Sequence, residues 1–467
     1  MSAYPWLARH VLAPTLDILR GTRTMQRMGE LERLQWWPVD RIREAQAQRL
    51  QTLISRSYEC VPFYRRLMDE RGIRPGDIRS SDDLACLPAL TKNTIRAHLD
   101  DLLARDVPRE RLRSGRSGGT TGERLDYFST REERLTFAHA RWLLSLEWSG
   151  AQFGEPHLSI RQMTAGTSGR ATRMLHRASL RLQRLERIDT MSVTEENLPA
   201  LVSHMQRTKP RSLFAYPSAL ALIASYARDH DLSCPAVHAV CLGGERLHDR
   251  QRAVLQQVFG SEPCIRYGSN ELHSVAAQCE AHGGLHIHAD DFIIEVVDDD
   301  GNLLSPGSRG RLLVTSLHNH GMPFIRYETG DIGALLPGAC PCGRGLPLLD
   351  SLIGRTVERV YGANGRRVDA MDLDIGQALP PGVVHYQLVQ ETIDRFVLSV
   401  VPAAGNEGNS WGPVSGRVAD IVASVTGSRP RIDLHLVDRI AMNLSGKRLP
   451  FISHMYPASA RAEPDRR

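Results

Sequence analysis

Hydrophobic positions recur along this chain with two periods. From about residue 111, short runs alternate apolar and polar residues or are apolar throughout. Leu125 and Tyr127 alternate with Arg124 and Asp126, and "SLFAYP", "AVHAVCLGG", "CIRYGS", "HIHADDFIIEVVD" and "GRLLVTSL" follow; all predict strands. Between them, "REERLTFAHARWLLSLEW", "LPALVSHMQRT", "SALALIASYARDH" and "HDRQRAVLQQVFG" place apolar residues at helical spacing. The first hundred residues read as helices joined by loops: Ile42, Leu50, Leu53 and Ile54 share one helical face, and "SSDDLACLPALT" reads as a loop feeding a capped helix. Near "LIGRTVERV" the pattern changes to a small α+β unit, with strands "HYQLVQ", "DRFVLSVV" and "RIDLHLVD" around the helix "VSGRVADIVASVT". The expected fold class is α/β, with a large multi-layer N-terminal domain of sheets and helices over 1–353. A small α+β C-terminal cap domain over 354–467 is suited to closing on substrates.

A chain of 467 residues with 42% hydrophobic and 24% charged residues fits a soluble protein of more than one folded unit. The net charge of +5 is spread among acidic residues, so no nucleic-acid partner is expected. Arg9, His10, Pro14 and Asp17 interrupt "WLARHVLAPTLDILRG", so nothing reaches the roughly 18 to 20 apolar residues of a membrane span. That stretch also lacks a secretory cleavage site, and a cytoplasmic protein without a membrane partner is expected. Arginines recur between leucines from Gly169 to Arg187, predicting a solvated amphipathic helix; a CoA-phosphate, carrier-protein or membrane-surface contact is the alternative. Lysine occurs only at positions 92, 209 and 447, and Lys447 stands in the loop "NLSGKRLPFISHM", where a compact ammonium serves differently from a guanidinium.

Chemistry-bearing stretches punctuate this framework. "SGGTTGER" (Ser117 to Arg124) combines glycines and hydroxyls, a composition suited to cradling phosphate or to an ordinary turn. It matches neither the G-K-S/T phosphate loop nor the dinucleotide fingerprint, and it is expected to join two strands. Further on come "YGSNE" with Tyr267 and Glu271, "RYETGD" with Asp331, "LIGR" with Arg355 and "SGK" with Lys447. Eight cysteines in a long cytoplasmic chain do not indicate a disulfide framework. "CEAHGGLH" offers Cys279, His282 and His286, and "CPCGR" offers Cys340 and Cys342: donors for a closed, structural zinc site. Merely buried or exposed thiols are the plainer reading, and a catalytic thiol lacks an activating triad.

Taken in order, these motifs resemble the adenylate-forming superfamily of acyl-CoA synthetases, in its phenylacetate-CoA ligase and capsular-polysaccharide CapK-like branch. The resemblance covers nearly the whole chain, including "VPFYRRL", "LPALTK", "AYPSAL", "CLGGERL", "GRLLVTSLHNHGMPFIRYETGDIG", "CPCGR" and "SGKR". It implies that a carboxylate attacks the α-phosphorus of ATP, giving an acyl-adenylate and pyrophosphate, before the acyl group passes to CoA. Ser117, Gly118, Gly119, Thr120, Thr121 and Gly122 would hold the β- and γ-phosphates, and Glu271, after Gly268 and Asn270 in the same ATP-binding stretch, would ligate Mg²⁺. Adenine would lie against Tyr267 and Gly243, Gly244 and Glu245, with Asp331 and Arg355 at the ribose. Lys447 would swing in with the cap to touch the α-phosphate and the attacking carboxylate. An aromatic acid would be received near Trp142, Tyr216, Pro217 and Ser218, and the "GLH" of His286 selects that histidine over His282 as the zinc ligand. Glu123-Arg124, Asn270 and Thr356-Val357-Glu358 depart from the branch, at the phosphates and the hinge. An amine or carrier protein as acyl acceptor in natural-product or capsule biosynthesis, a non-catalytic nucleotide-binding homologue, and a homodimer remain compatible with the resemblance.

Overall fold

The computed structural model describes residues 3–117, 125–163, 170–350, 354–355, 359–363, 365–370, 373–380, 383–402, 411–441 and 448–455. The chain divides into two compact units, the first running to Leu352 and the second from Ile353, with Gly330–Ile332 grouped with the second. The architecture is mixed α/β, as the alternating pattern predicts.

In the first unit, β1 (Leu112–Arg116) and β2 (Asp126–Thr130) form an antiparallel hairpin that flanks the serine–glycine–threonine loop. Strands β3 (His157–Arg161), β4 (Leu185–Asp189), β5 (Ser212–Ala215), β6 (Ala239–Gly243) and β7 (Cys264–Ser269) lie parallel, side by side in the order β4-β3-β5-β6-β7. The antiparallel strands β8 (His273–Gln278) and β9 (Leu285–Ile287) extend this sheet beyond β7. Strands β10 (Phe292–Val297), β11 (Gly310–Ser316) and β12 (Tyr327–Gly333) belong to a second sheet, while β13 (Leu335–Leu336) and β14 (Leu348–Leu349) return to the edge of the first. Every residue of β5 and β6 is buried, as parallel strands covered on both faces require. The connecting helices are Arg170–Leu182, Leu198–Thr208, Pro217–Asp229 and Asp249–Phe259. Arg173, Arg177 and Arg181 are exposed on the first of these, the solvated helix expected there. No helix among the described residues is long and apolar enough to cross a membrane.

Two expected elements are broken, and buried charge accounts for both. "HIHADDFIIEVVD" was expected as one strand, but the chain turns at 288–291 between β9 and β10. There Asp291 accepts from Arg141 at 2.7 Å and Arg27 at 2.9 Å and contacts His318 at 2.8 Å, while Asp290 pairs with Arg27 and Arg49. A regular strand would send the two adjacent carboxylates to opposite faces. The helix expected over "REERLTFAHARWLLSLEW" opens with a π turn at Glu133–Phe137 before becoming α-helical at Ala138–Trp148. Glu133 there meets the fully buried Arg141 at 2.9 Å. Burial would raise the Asp291 pKa, but Arg141, Arg27 and His318 outweigh it and hold the carboxyl well below its ordinary range.

The second unit contains β15 (Gly354–Arg355), β16 (Arg359–Tyr361), β17 (Arg367–Asp369), β18 (Val383–Gln390), β19 (Arg395–Pro402), β20 (Arg431–Leu436) and β21 (Phe451–Ser453). Strands β18 and β19 are antiparallel at the centre of a sheet ordered β20-β19-β18-β21. The helix Gly412–Thr426 packs Val414, Val418 and Val422 against Leu388, Phe396, Leu398 and Val400, and ends at Gly427 with φ 78°.

Candidate active site and Cys/His centre

The expected acid- and adenine-binding stretches gather at the carboxyl ends of the parallel strands, where open α/β sheets bind ligands. Tyr216 follows β5 and precedes the helix that Pro217 opens. Gly244 and Glu245 follow β6; Gly244 takes φ 84°, and Glu245 Oε2 accepts the Ser218 amide at 2.9 Å, tying this turn to the helix N-terminus. The Gln162 backbone amide donates to the Tyr216 hydroxyl, while burial and then the Glu245 charge raise the phenol's pKa. Tyr267 is 4% exposed and packs within the main hydrophobic core, and Gly268 sits at a bulge between β7 and β8.

Glu271 follows β7 in a turn that is tied down from several sides. Its Oε1 accepts the Tyr327 hydroxyl at 2.9 Å, and the residue is 8% exposed. The preceding Asn270 accepts the Tyr127 hydroxyl on its carbonyl at 2.7 Å and donates its amide to the Arg116 carbonyl at 3.1 Å. Tyr127 belongs to β2 and Arg116 to β1, so this turn is pinned to both strands of the hairpin. Ser117 closes the hairpin's neck: its amide donates to the Leu125 carbonyl at 2.8 Å and its Oγ accepts the Leu125 amide at 2.9 Å. Gly118, Gly119, Thr120, Thr121 and Gly122 lie outside the described residues, as does Lys447. In the second unit, Asp331 on β12 faces Arg355 on β15 across an antiparallel ladder.

Trp142 is placed differently from the sequence-based expectation. It sits on the helix Ala138–Trp148, edge-on to His157 at 6.0 Å, and lines a cavity with Leu185 and Ser212 at the amino ends of β3, β4 and β5. Tyr216 lies four residues further along the β5 direction, about 13 Å at strand rise. Trp142 and Tyr216 therefore belong to opposite ends of the strands, a distinction invisible in sequence because helix crossings depend on tertiary packing.

Cys279, His286, Cys340 and Cys342 converge, with one donor atom from each within 4.8 Å of all the others. Cys279 Sγ is 3.7 Å from Cys340 Sγ, and Cys342 Sγ is 3.4 Å from His286 Nε2. Zinc with Zn–S of about 2.3 Å and Zn–N of about 2.05 Å at tetrahedral angles needs separations of about 3.8 Å and about 3.6 Å, so the donor set fits the ion. Gly283 permits the approach: a Cβ there would come within 2.9 Å of Cys340 Sγ. Burial, reinforced by Arg344, pushes His286 down to about 4 and leaves the imidazole neutral, as a ligand must be. His282 instead faces Cys264, at 4.0 Å. Asp290, Asp291 and His318 also lie close together, but guanidinium groups already neutralise those carboxylates.

No protein-family model matches the chain. The phenylacetate-coenzyme A ligase of Thermus thermophilus is 33% identical to it over 393 residues, covering 80% of this chain and 84% of that one. The chain belongs to the phenylacetate-CoA ligase family. The Escherichia coli K12 phenylacetate-coenzyme A ligase is 31% identical over 340 residues, or 70% of this family member and 74% of that enzyme. In fold, this phenylacetate-CoA ligase family member is similar to the crystal structure of 2-hydroxyisobutyryl-CoA ligase in the postadenylation state with R3-HIB-AMP, at a TM-score of 0.72 and 20% identity over 91% and 92% of the chains. Neither Tyr327 nor Tyr127 was given a role from sequence. Tyr327 lies inside the "RYETGD" motif, but its bond to Glu271 spans 56 positions and only the fold reveals it.

Proposed function

We propose that this protein is an AMP-forming acid–CoA ligase, which activates a carboxylic acid with ATP and passes the acyl group to CoA. Family membership across 84% of the Thermus enzyme carries the reading. A carboxylate is a poor electrophile, and its attack on the α-phosphorus of ATP gives an acyl-adenylate whose AMP leaves readily, with pyrophosphate as the first product. CoA thiolate then displaces AMP to form the thioester.

The chain's own groups divide this work. The residues between β1 and β2 would cradle the departing phosphates, and Glu271, which accepts the Tyr327 hydroxyl, would hold magnesium. Bound magnesium supplies neutralisation of charge on the phosphate oxygens. Glu245 orders the start of the helix at Ser218 beside the acid site, Asp331 and Arg355 take the ribose, and Lys447 brings a positive charge to the α-phosphate and the attacking carboxylate. Cys279, His286, Cys340 and Cys342 would hold a structural zinc, which would fasten the 340–342 loop to β9.

Pyrophosphate release with hydroxylamine as trap, across aromatic and aliphatic acids with and without CoA, tests the reading. It expects a hydroxamate from at least one acid class and a thioester once CoA is added. ATP binding without AMP formation from any acid would overturn it.

A further inference from the structure

Across the carboxyl ends of the parallel strands, one rung of the sheet carries an unusual set of residues. Ile160 pairs with Ala215, so Arg161 stands level with Tyr216. Ala215 pairs with Leu242, which sets Tyr216 level with Gly243, and Gly243 pairs with Arg266. Residues on one rung of a parallel sheet project from the same face. The rung therefore reads Arg161, Tyr216, Gly243, Arg266, with a gap at the glycine. A Cβ at Gly243 would stand 3.1 Å from the Arg266 carbonyl and 3.5 Å from the Phe214 ring.

Neither Arg161 nor Arg266 forms an ion pair among the described residues, and Arg266 Nε is buried with no hydrogen-bond partner while its guanidinium lies 4.8 Å from the centre of the Phe214 ring. Asp189, level with Arg161 on its other side, is turned away to accept the Met191 amide at 3.0 Å. Glu245 is committed to the Ser218 amide. Arg187, two residues back on the neighbouring strand, adds a third positive charge. Burial lowers the pKa of all three arginines, and the Arg161 charge lowers Arg187 further, to about 10. Elsewhere in this chain a buried arginine is matched with carboxylates, as Arg141 is. Arg161 and Arg266 are half-buried, and unmatched, partly desolvated cations are costly unless an anion completes them.

We infer that the acid activated here is a dicarboxylic acid, whose second carboxylate is held by Arg161 and Arg266 beside Tyr216; this rests on the ligase reading above. A guanidinium takes a carboxylate through two parallel hydrogen bonds, and Gly243 leaves room beside Tyr216 for the ligand to reach Arg266. An acid with an apolar tail would leave both cations desolvated and unpaired, so the site discriminates against it.

The test compares matched pairs, 4-carboxyphenylacetate against phenylacetate and glutarate against pentanoate, on the full chain and on Arg266→Met and Arg161→Met. Acid-dependent pyrophosphate release and calorimetric binding of each acid are both measured. The expected result is a preference for the dicarboxylate of about a hundredfold or more in kcat/KM, collapsing in either variant. Arg266→Met should melt no lower than the parent, because an unpaired, half-buried charge is removed. Equal use of both acids, or a preference intact in both variants, overturns the inference. So does a raised KM for ATP or CoA with the acid preference unchanged, which would assign the arginines to phosphate. If no acid releases pyrophosphate, the ligase reading fails by itself. Calorimetry then decides the site: dicarboxylate binding lost in Arg266→Met sustains it, and no binding to the parent overturns it.

Discussion

Replacing Tyr327 by Phe removes one oxygen from a fully buried side chain and deletes the bond that fixes Glu271. Shape is conserved: the ring keeps its place 4.9 Å from Phe324, so little cavity forms. A hydrogen bond to a charged acceptor contributes about 1.5–3 kcal/mol net. The carboxylate it orients is 8% exposed, so water replaces the lost donor poorly. At about 1.4 kcal/mol per factor of ten, the effect on magnesium binding is about ten- to hundredfold. The assay is acid-dependent pyrophosphate release at fixed ATP over a magnesium titration, with a urea melt alongside. The half-saturating magnesium concentration should rise by that factor while the urea midpoint falls modestly. A folded variant with unchanged magnesium dependence would refute the argument that Tyr327 orients a metal-binding Glu271.

Other consequences are equally direct. Arg141→Met strands Glu133 beside a buried apolar group and leaves Asp291 with Arg27 and His318 alone, and should cost about 3–5 kcal/mol of unfolding free energy by urea denaturation. Burial pushes His157, His273 and His288 down to about 3, so the unfolded chain binds protons on them first. Stability is full above about pH 6.5 and falls as pH drops towards 3, by up to about 1.4 kcal/mol per unit for each histidine. A urea midpoint flat between pH 7.5 and 5 would contradict this. Cys340→Ser should lose the zinc measured by elemental analysis and lower the melting temperature, whereas a metal-free parent would overturn the zinc assignment. Lys447→Ala should abolish adenylate formation with ATP binding mostly retained, and unchanged pyrophosphate release would remove its role.

The elements that could be read from sequence were those whose periodicity is set locally. "LPALVSHMQRT" is the helix Leu198–Thr208, and "CIRYGS" is β7. Both carry their own pattern of burial, and the β5 and β6 runs carry the continuous apolar pattern of covered parallel strands. The strand expected over "HIHADDFIIEVVD" failed because the carboxylates of Asp290 and Asp291 are satisfied by arginines from remote helices, which no local pattern encodes. Within the site, Glu271 announces itself through a motif, but Tyr327 and the pinning of Asn270 to the hairpin are long-range contacts. Trp142 was grouped with Tyr216 through the resemblance, and only its ring contact with His157 and the cavity it lines with Ser212 show that it belongs at the other end of the strands. The pairing of Arg161 with Arg266 across one rung depends on strand order, in which β5 and β6 stand between them. Conversely, C-x-C with a distant Cys and His was legible because few other environments bring those donors together.

The central claim is reversible formation of an acyl-adenylate, and acid-dependent exchange of labelled pyrophosphate into ATP tests it most directly. The measurement uses the full chain with magnesium, a panel of mono- and dicarboxylic acids, and no CoA. The account predicts exchange with the cognate acid in the absence of CoA, because adenylation precedes thioester formation. Exchange that requires CoA, or ATP consumed to ADP rather than AMP, would contradict it.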